Sequence, residues 1–311
     1  MQKSTGVQGG CPAGGDVAWR TDMSVVERMV QTSHAEIAVA ETSGKGFPVV
    51  LIHGNSSCKE VFRNQLAGPL GETNRVVAID LPGHGRSSNA FDPARTYSMP
   101  GYASAMMEAL AGLGIDKAVV VGWSLGGHVG LEMMPLFEGM AGLMIMGTPP
   151  VSHGVEAIQK GFQPTPSLLL AGKKDFTPED VQAFAAITCG AMADAGLRRA
   201  IERTDGLARS MNFESLLAGK ASDQRQLAEN SRVPLAIVNG SEDPIVNVDY
   251  IGSLSYQNLW EGQCFVLKGL GHVPFLEAPK VFNPILGRFV TDMEKQVAMP
   301  ASGRRRNVAA A

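Results

Sequence analysis

The sequence predicts a doubly wound α/β protein, with a mostly parallel sheet, helices on both faces and a helical segment inserted late in the chain. Three observations carry this. Short apolar runs ending in Gly or Pro recur along the chain, and strands buried on both faces of a parallel sheet read that way. Stretches with helical spacing lie between several of them, and strand–helix alternation is the pattern of a wound sheet. Finally, the stretch from about Pro149 to Arg232 shows no convincing strand and is too long for a simple connection.

Taken in order, residues 1–30 read as a loose, polar, Gly-rich extension. The predicted strands are Glu36–Ala40, Pro48–His53, Arg75–Leu81, Ala118–Trp123, Leu143–Gly147, Leu235–Asn239 and Cys264–Lys268. Pro100–Gly114 sets Tyr102, Met106, Met107 and Leu110 at helical spacing, and Gly126–Phe137 and Val281–Val297 are further helices. Residues 31–148 and 233–298 therefore form the sheet-bearing core. Residues 149–232 form a helical cap, with helices at Pro178–Ala186 and Leu197–Thr204 and turns at Pro164, Pro166 and Gly206. Residues 299–311 read as a disordered tail.

At 311 residues with 44% hydrophobic and 18% charged side chains, the chain can bury a sizeable core. Its 27 Lys and Arg against 30 Asp and Glu leave a net charge of −3. Arg304, Arg305 and Arg306 lie in the tail, so the body is more acidic still, which argues against a nucleic-acid surface. No apolar run approaches a membrane span, and the N-terminus has no apolar signal core. Cys11, Cys58, Cys189 and Cys264 are too scattered for a zinc site or a disulfide scaffold. A cytoplasmic setting is expected, with no metal, no cofactor, no nucleic-acid or membrane partner, and an undetermined oligomeric state.

The strongest chemical signal is Gly122-Trp123-Ser124-Leu125-Gly126, between a predicted strand and a predicted helix. A G-x-S-x-G in that setting is a nucleophile elbow, a sharp turn that lifts the serine hydroxyl clear of the backbone at a helix N-terminus. A serine hydroxyl needs a base, and the base needs an orienter. His272 in Gly271-His272-Val273-Pro274 and Asp243 in Gly240-Ser241-Glu242-Asp243-Pro244 follow the last two predicted strands, giving the order Ser…Asp…His. Glu242 is the rival acid; Asp243, just before the proline, is preferred. His53-Gly54-Asn55-Ser56-Ser57 follows an earlier strand. It offers the N–H of Asn55, with that of Leu125, as an oxyanion hole, and the Asn55 side chain for a substrate carbonyl. Trp123, Met144, Met146, Phe162 and Phe184 are expected to line an apolar channel. His84 and His128 are expected to be structural, and the Asp80–Ser87 turn is assigned no chemistry.

These stretches resemble the α/β-hydrolase fold. Within it, the chain is similar to the metal-independent N-acyl-homoserine lactone hydrolases that quench bacterial quorum signals. Asp92–Met99, Gly101-Tyr102-Ala103, Gly122–His128, Gly147-Thr148-Pro149-Pro150-Val151, Thr204-Asp205-Gly206, Asn258-Leu259-Trp260-Glu261-Gly262 and Gly271–Phe275 carry the likeness, which runs from about His34 to Val290. Those relatives have Glu where Asp243 stands here. The resemblance implies a serine lactonase that works without metal on a small lactone through an acyl-enzyme. A carboxylesterase is the alternative, and a non-catalytic ligand receptor a third.

Overall fold

The computed structural model describes residues 25–299. The Arg304–Arg306 tail, Cys11 and most of the expected N-terminal extension lie outside these residues. Eight strands form one sheet: β1 (Val26–Gln31), β2 (Glu36–Glu41), β3 (Gly46–Ile52), β4 (Asn74–Ile79), β5 (Ala118–Trp123), β6 (Met140–Met146), β7 (Leu235–Gly240) and β8 (Phe265–Leu267). Their order is β1-β2-β4-β3-β5-β6-β7-β8. β2 runs antiparallel to β1 and β4, and from β4 to β8 every pair is parallel.

Seven strands match the predicted runs to within a few residues, but β1 does not. Residues 26–30, expected in the loose extension, form an edge strand in register with β2 from Val26↔Glu41 to Gln31↔Glu36. Only Val30 of this strand is buried, so it has no alternation to read. A backbone ladder and surface ion pairs, Arg28–Glu41 at 2.6 Å and Glu27–Arg86, hold it.

Strand residues alternate between two cores because successive side chains leave a strand on opposite faces. Val50, Ile52, Val120, Leu143, Ile145 and Ile237 pack with Tyr102, Met106, Leu110 and Val129 on one face. Val49, Leu51, Val121, Met144, Met146 and Val238 pack with Phe282, Leu286, Phe289 and Met293 on the other. The helices Met99–Gly112 and Leu125–Met133 cover the first face, and Pro279–Ala298 covers the second. Ser98 caps the first of these by accepting the Gly101 N–H at 3.1 Å.

Between β6 and β7 the chain is helical: Val155–Gly161, Pro178–Cys189, Ala195–Arg203, Gly206–Leu217 and Gln224–Asn230, with a 3₁₀ segment at Pro166–Gly172. Gly206, expected in a turn, instead begins a helix. Asp205 caps it through the Leu207 N–H at 3.0 Å and accepts a hydrogen bond from Tyr97 at 2.7 Å, tying this segment to the core. Arg209, on the same helix, is buried. It donates to the carbonyls of Lys173 (2.9 Å) and Lys174 (2.8 Å) and lies 4.1 Å over the Phe176 ring. Among the described residues no helix is long and apolar enough to cross a membrane.

Candidate active site

β5 ends at Trp123, and the chain turns through Ser124 into the Leu125–Met133 helix. Ser124 has φ 52° and ψ −117°, a backbone region that costs a non-glycine residue about 1–3 kcal/mol. The surroundings enforce it. The Ser124 N–H donates to Met146 O at 2.8 Å on the neighbouring strand, and Thr148 Oγ1 donates to Ser124 O at 3.0 Å. A Cβ on Gly122 would come within 2.3 Å of Gly126 O, and one on Gly126 within 2.0 Å of Ile52 O. Only glycine permits this crossing of strand, helix and loop.

His272 lies in the loop after β8 and is buried. Its Nδ1 is 2.7 Å from Asp243 Oδ2. The other carboxylate oxygen, Oδ1, accepts the N–H groups of Ile245 (2.8 Å) and Val246 (3.1 Å), which fixes the carboxylate in the turn after β7. Since Asp243 accepts, Nδ1 carries the proton and Nε2 is left as an acceptor. Glu242 is exposed and receives a hydrogen bond from Ser241 Oγ at 3.1 Å. The carboxylate at the histidine therefore belongs to Asp243, not to its neighbour.

Two further contacts hold the histidine loop. Trp123 Nε1 donates to His272 O at 2.9 Å. The Glu277 carboxylate accepts the Gly271 N–H at 2.9 Å and the Val273 N–H at 3.2 Å, gripping the backbone on either side of His272. Gly147 has φ +56°, and a Cβ there would lie 2.5 Å from His272 Cε1. Sequence reasoning did not single out Glu277 or Gly147; the Gly-Thr-Pro-Pro stretch was the only pointer to the latter.

Ser124 and His272 open on one cavity of about 230 Å³. Asn55, Trp123, Leu125, Phe162 and Phe184 line it, although Trp123 is 1% exposed and mainly supports His272. The N–H groups of Asn55 and Leu125 have no hydrogen-bond partner among the described residues. The Asn55 side chain is already engaged: its Nδ2 donates to Ala171 O at 2.9 Å, across to the helical segment, and its Oδ1 accepts from Ser56.

Met144 and Met146 do not reach the cavity, contrary to expectation. They leave β6 on the same face as Gly142, where a Cβ would meet Phe289 and Met293 of the C-terminal helix, and both are fully buried in that core. His128 is corrected the other way. Expected to serve only in helix packing, it lines the cavity, as do Met99, Asn212 and Leu216. His84 is buried away from it, with Nδ1 3.0 Å from Pro82 O. Among the described residues no group of three His, Cys, Asp or Glu side chains is gathered as a metal site.

Fold and site together define the class. Residues 49–285 match the alpha/beta hydrolase family, and the chain belongs to it. It is similar to the N-acyl homoserine lactonase AidH. A crystal structure of a mutant of that enzyme complexed with N-hexanoyl homoserine superposes with a TM-score of 0.85 at 46% identity, covering 87% of this chain and 98% of that one. The same lactonase complexed with N-butanoyl homoserine gives 0.84 at 46%, covering 86% and 97%. A pimeloyl-[acyl-carrier protein] methyl ester esterase from Vibrio cholerae is 26% identical over 262 residues, 81% of this chain and 97% of its own length.

Proposed function

We propose that this protein is a serine hydrolase that opens the lactone ring of N-acyl homoserine lactones. The observation that carries the proposal is a histidine held by Asp243 at 2.7 Å, opening with Ser124 on an apolar cavity. The 46% likeness to a lactonase complexed with N-hexanoyl homoserine supports the choice of substrate class.

The Ser124 hydroxyl adds to the lactone carbonyl as His272 Nε2 takes its proton. The resulting oxyanion rests on the N–H groups of Asn55 and Leu125, each such donor being worth about 10²–10³ in rate. As the tetrahedral species collapses, the ring C–O bond breaks and His272 returns the proton to the leaving ring oxygen. This leaves an ester on Ser124 and a free hydroxyl at the other end of the opened ring. Water, giving a proton to His272, attacks that ester; as the bond to Ser124 Oγ breaks, His272 passes the proton to that oxygen and N-acyl homoserine departs. Asp243 keeps the imidazole in the working tautomer and stabilises the imidazolium. Residues 149–232 act as a cap over the acyl chain.

The deciding experiment follows acid release at constant pH from N-acyl homoserine lactones, with EDTA present and the Ser124→Ala protein as control. EDTA-insensitive base uptake that vanishes in the control is expected. Cleavage of p-nitrophenyl esters without any lactone turnover would instead favour the carboxylesterase reading, which the Vibrio cholerae methyl ester esterase keeps in view.

A further inference from the structure

The chemistry at Ser124 leaves one buried imidazole of the cavity wall without a task. His128 stands one turn of helix, about 5.4 Å of rise, beyond Ser124 and faces the cavity beside Phe162, with ring centroids 6.3 Å apart. Its Nδ1 is 2.6 Å from Gln224 Oε1. The far end of Gln224 fixes which way that amide points. Its Nε2 donates to Glu132 Oε1 at 2.8 Å and to His128 O at 3.3 Å. Glu132 in turn accepts from the Ser222 N–H and hydroxyl. An amide nitrogen only donates, so the amide oxygen faces the ring, and Nδ1 must carry the proton. Burial pushes this imidazole down to about 4, so it is neutral near pH 7.

The consequence is a fixed tautomer with a bare acceptor. His128 Nε2 has no hydrogen-bond partner among the described residues, and it is not among the sealed, unpartnered atoms to which His84 Nε2 belongs. Phe162 packs beside it, and Met99, Ile158 and Leu216 add to the largely apolar lining of the same cavity. An apolar cavity furnished with an unpaired acceptor favours a ligand that brings a donor and penalises one that brings another acceptor.

We propose that His128 Nε2 is a specificity determinant that accepts a hydrogen bond from a hydroxyl on the acyl chain of the substrate. The proposal rests on the hydrolase function above. Every acyl homoserine lactone carries the same amide donor, whereas the third carbon of the acyl chain, several bonds further along, differs between substrates and is where Nε2 can discriminate. A 3-hydroxyl there donates to Nε2. A 3-oxo group sets acceptor against acceptor, and an unsubstituted chain leaves Nε2 dry and unpaired.

The test compares N-(3-hydroxyhexanoyl)-, N-(3-oxohexanoyl)- and N-hexanoyl-homoserine lactone by kcat/KM on the intact protein, and by Kd on the Ser124→Ala protein. The 3-hydroxy compound is expected to lead the 3-oxo compound by about tenfold or more in both measures. In the His128→Phe protein, which keeps a ring of similar bulk, that ratio falls to about one. Gln224→Leu, which frees the tautomer from a distance, lowers the same ratio by improving the 3-oxo compound. Gln224 is thus a positioning residue, and the split between the two compounds is a readout that mere destabilisation would not move. If lactones are turned over but the ratio is at or below one, or is unchanged in His128→Phe, the inference is overturned and the function stands. If no lactone is opened yet the Kd ratio holds, the function fails and the subsite stands. A cavity that binds none of the three overturns both.

Discussion

Replacing Asp243 by Asn tests the histidine's orientation with almost no change of shape. In the protein, Asp243 Oδ2 accepts from His272 Nδ1 at 2.7 Å, while Oδ1 accepts two backbone N–H groups at 2.8 and 3.1 Å. An asparagine has one oxygen and one NH₂ to divide between these neighbours. With the NH₂ toward the turn, two buried N–H donors would face another donor, at about 1–3 kcal/mol each. The oxygen therefore stays with Ile245 and Val246, and the NH₂ turns to the ring. Nδ1 must then accept, the ring proton moves to Nε2, and the base at Ser124 is gone. Loss of the working tautomer lowers kcat by about 10⁴, about 5.4 kcal/mol of barrier. Initial rates of ring opening by base uptake on N-hexanoyl homoserine lactone would measure it, with thermal unfolding as a check on folding. Glu242→Gln, changing an exposed side chain, is expected to stay within about twofold of the parent rate. Asp243→Asn activity within tenfold of the parent, or an equal loss in Glu242→Gln, would refute this account of the triad.

Three further outcomes are expected. Gly147→Ala puts a methyl 2.5 Å from His272 Cε1 at φ +56°, and should cut kcat/KM by about 10² through a displaced imidazole, seen in steady-state kinetics. Arg209→Leu removes the donors from the Lys173 and Lys174 carbonyls and should lower stability by about 2–4 kcal/mol; an unchanged urea midpoint would contradict it. The third concerns pH. Burial holds the folded His128 at about 4, below its unfolded value near 6.5, so the unfolded chain binds the proton first as pH falls. Stability is full above about pH 6.5 and is lost progressively toward pH 4, by about 3 kcal/mol from this group. Burial depresses His34, His53 and His84 in the same direction. Urea midpoints at pH 7 and pH 4.5 should separate less in His128→Phe than in the parent protein.

Much of this architecture is legible because its causes are local. Fully buried parallel strands write themselves as apolar runs, and β5 matches its predicted span residue for residue. The elbow is legible because steric crowding at Gly122 and Gly126 leaves glycine no substitute. β1 was hidden because an edge strand held by its ladder needs no apolar face. Met144 and Met146 show a different limit: composition marked them as apolar, but the face they occupy depends on which helix lies behind β6. His128 was hidden for the converse reason. Its environment is assembled by Gln224 and Glu132, 96 and 4 residues away, so no local pattern announces it.

The strand order has an evolutionary consequence. β6 and β7 are parallel neighbours in the sheet, so the long helical excursion between them leaves the C-terminal end of one strand and returns to the start of the next, about a strand length away. Closing such a loop costs only about 0.6 kcal/mol more for each doubling of its length. The excursion can therefore be lengthened, shortened or exchanged without disturbing Ser124, Asp243 or His272, all of which lie outside it. Diversification of what the cavity admits is nearly free in folding terms, while the proposed reactive centre stays anchored at the ends of the strands.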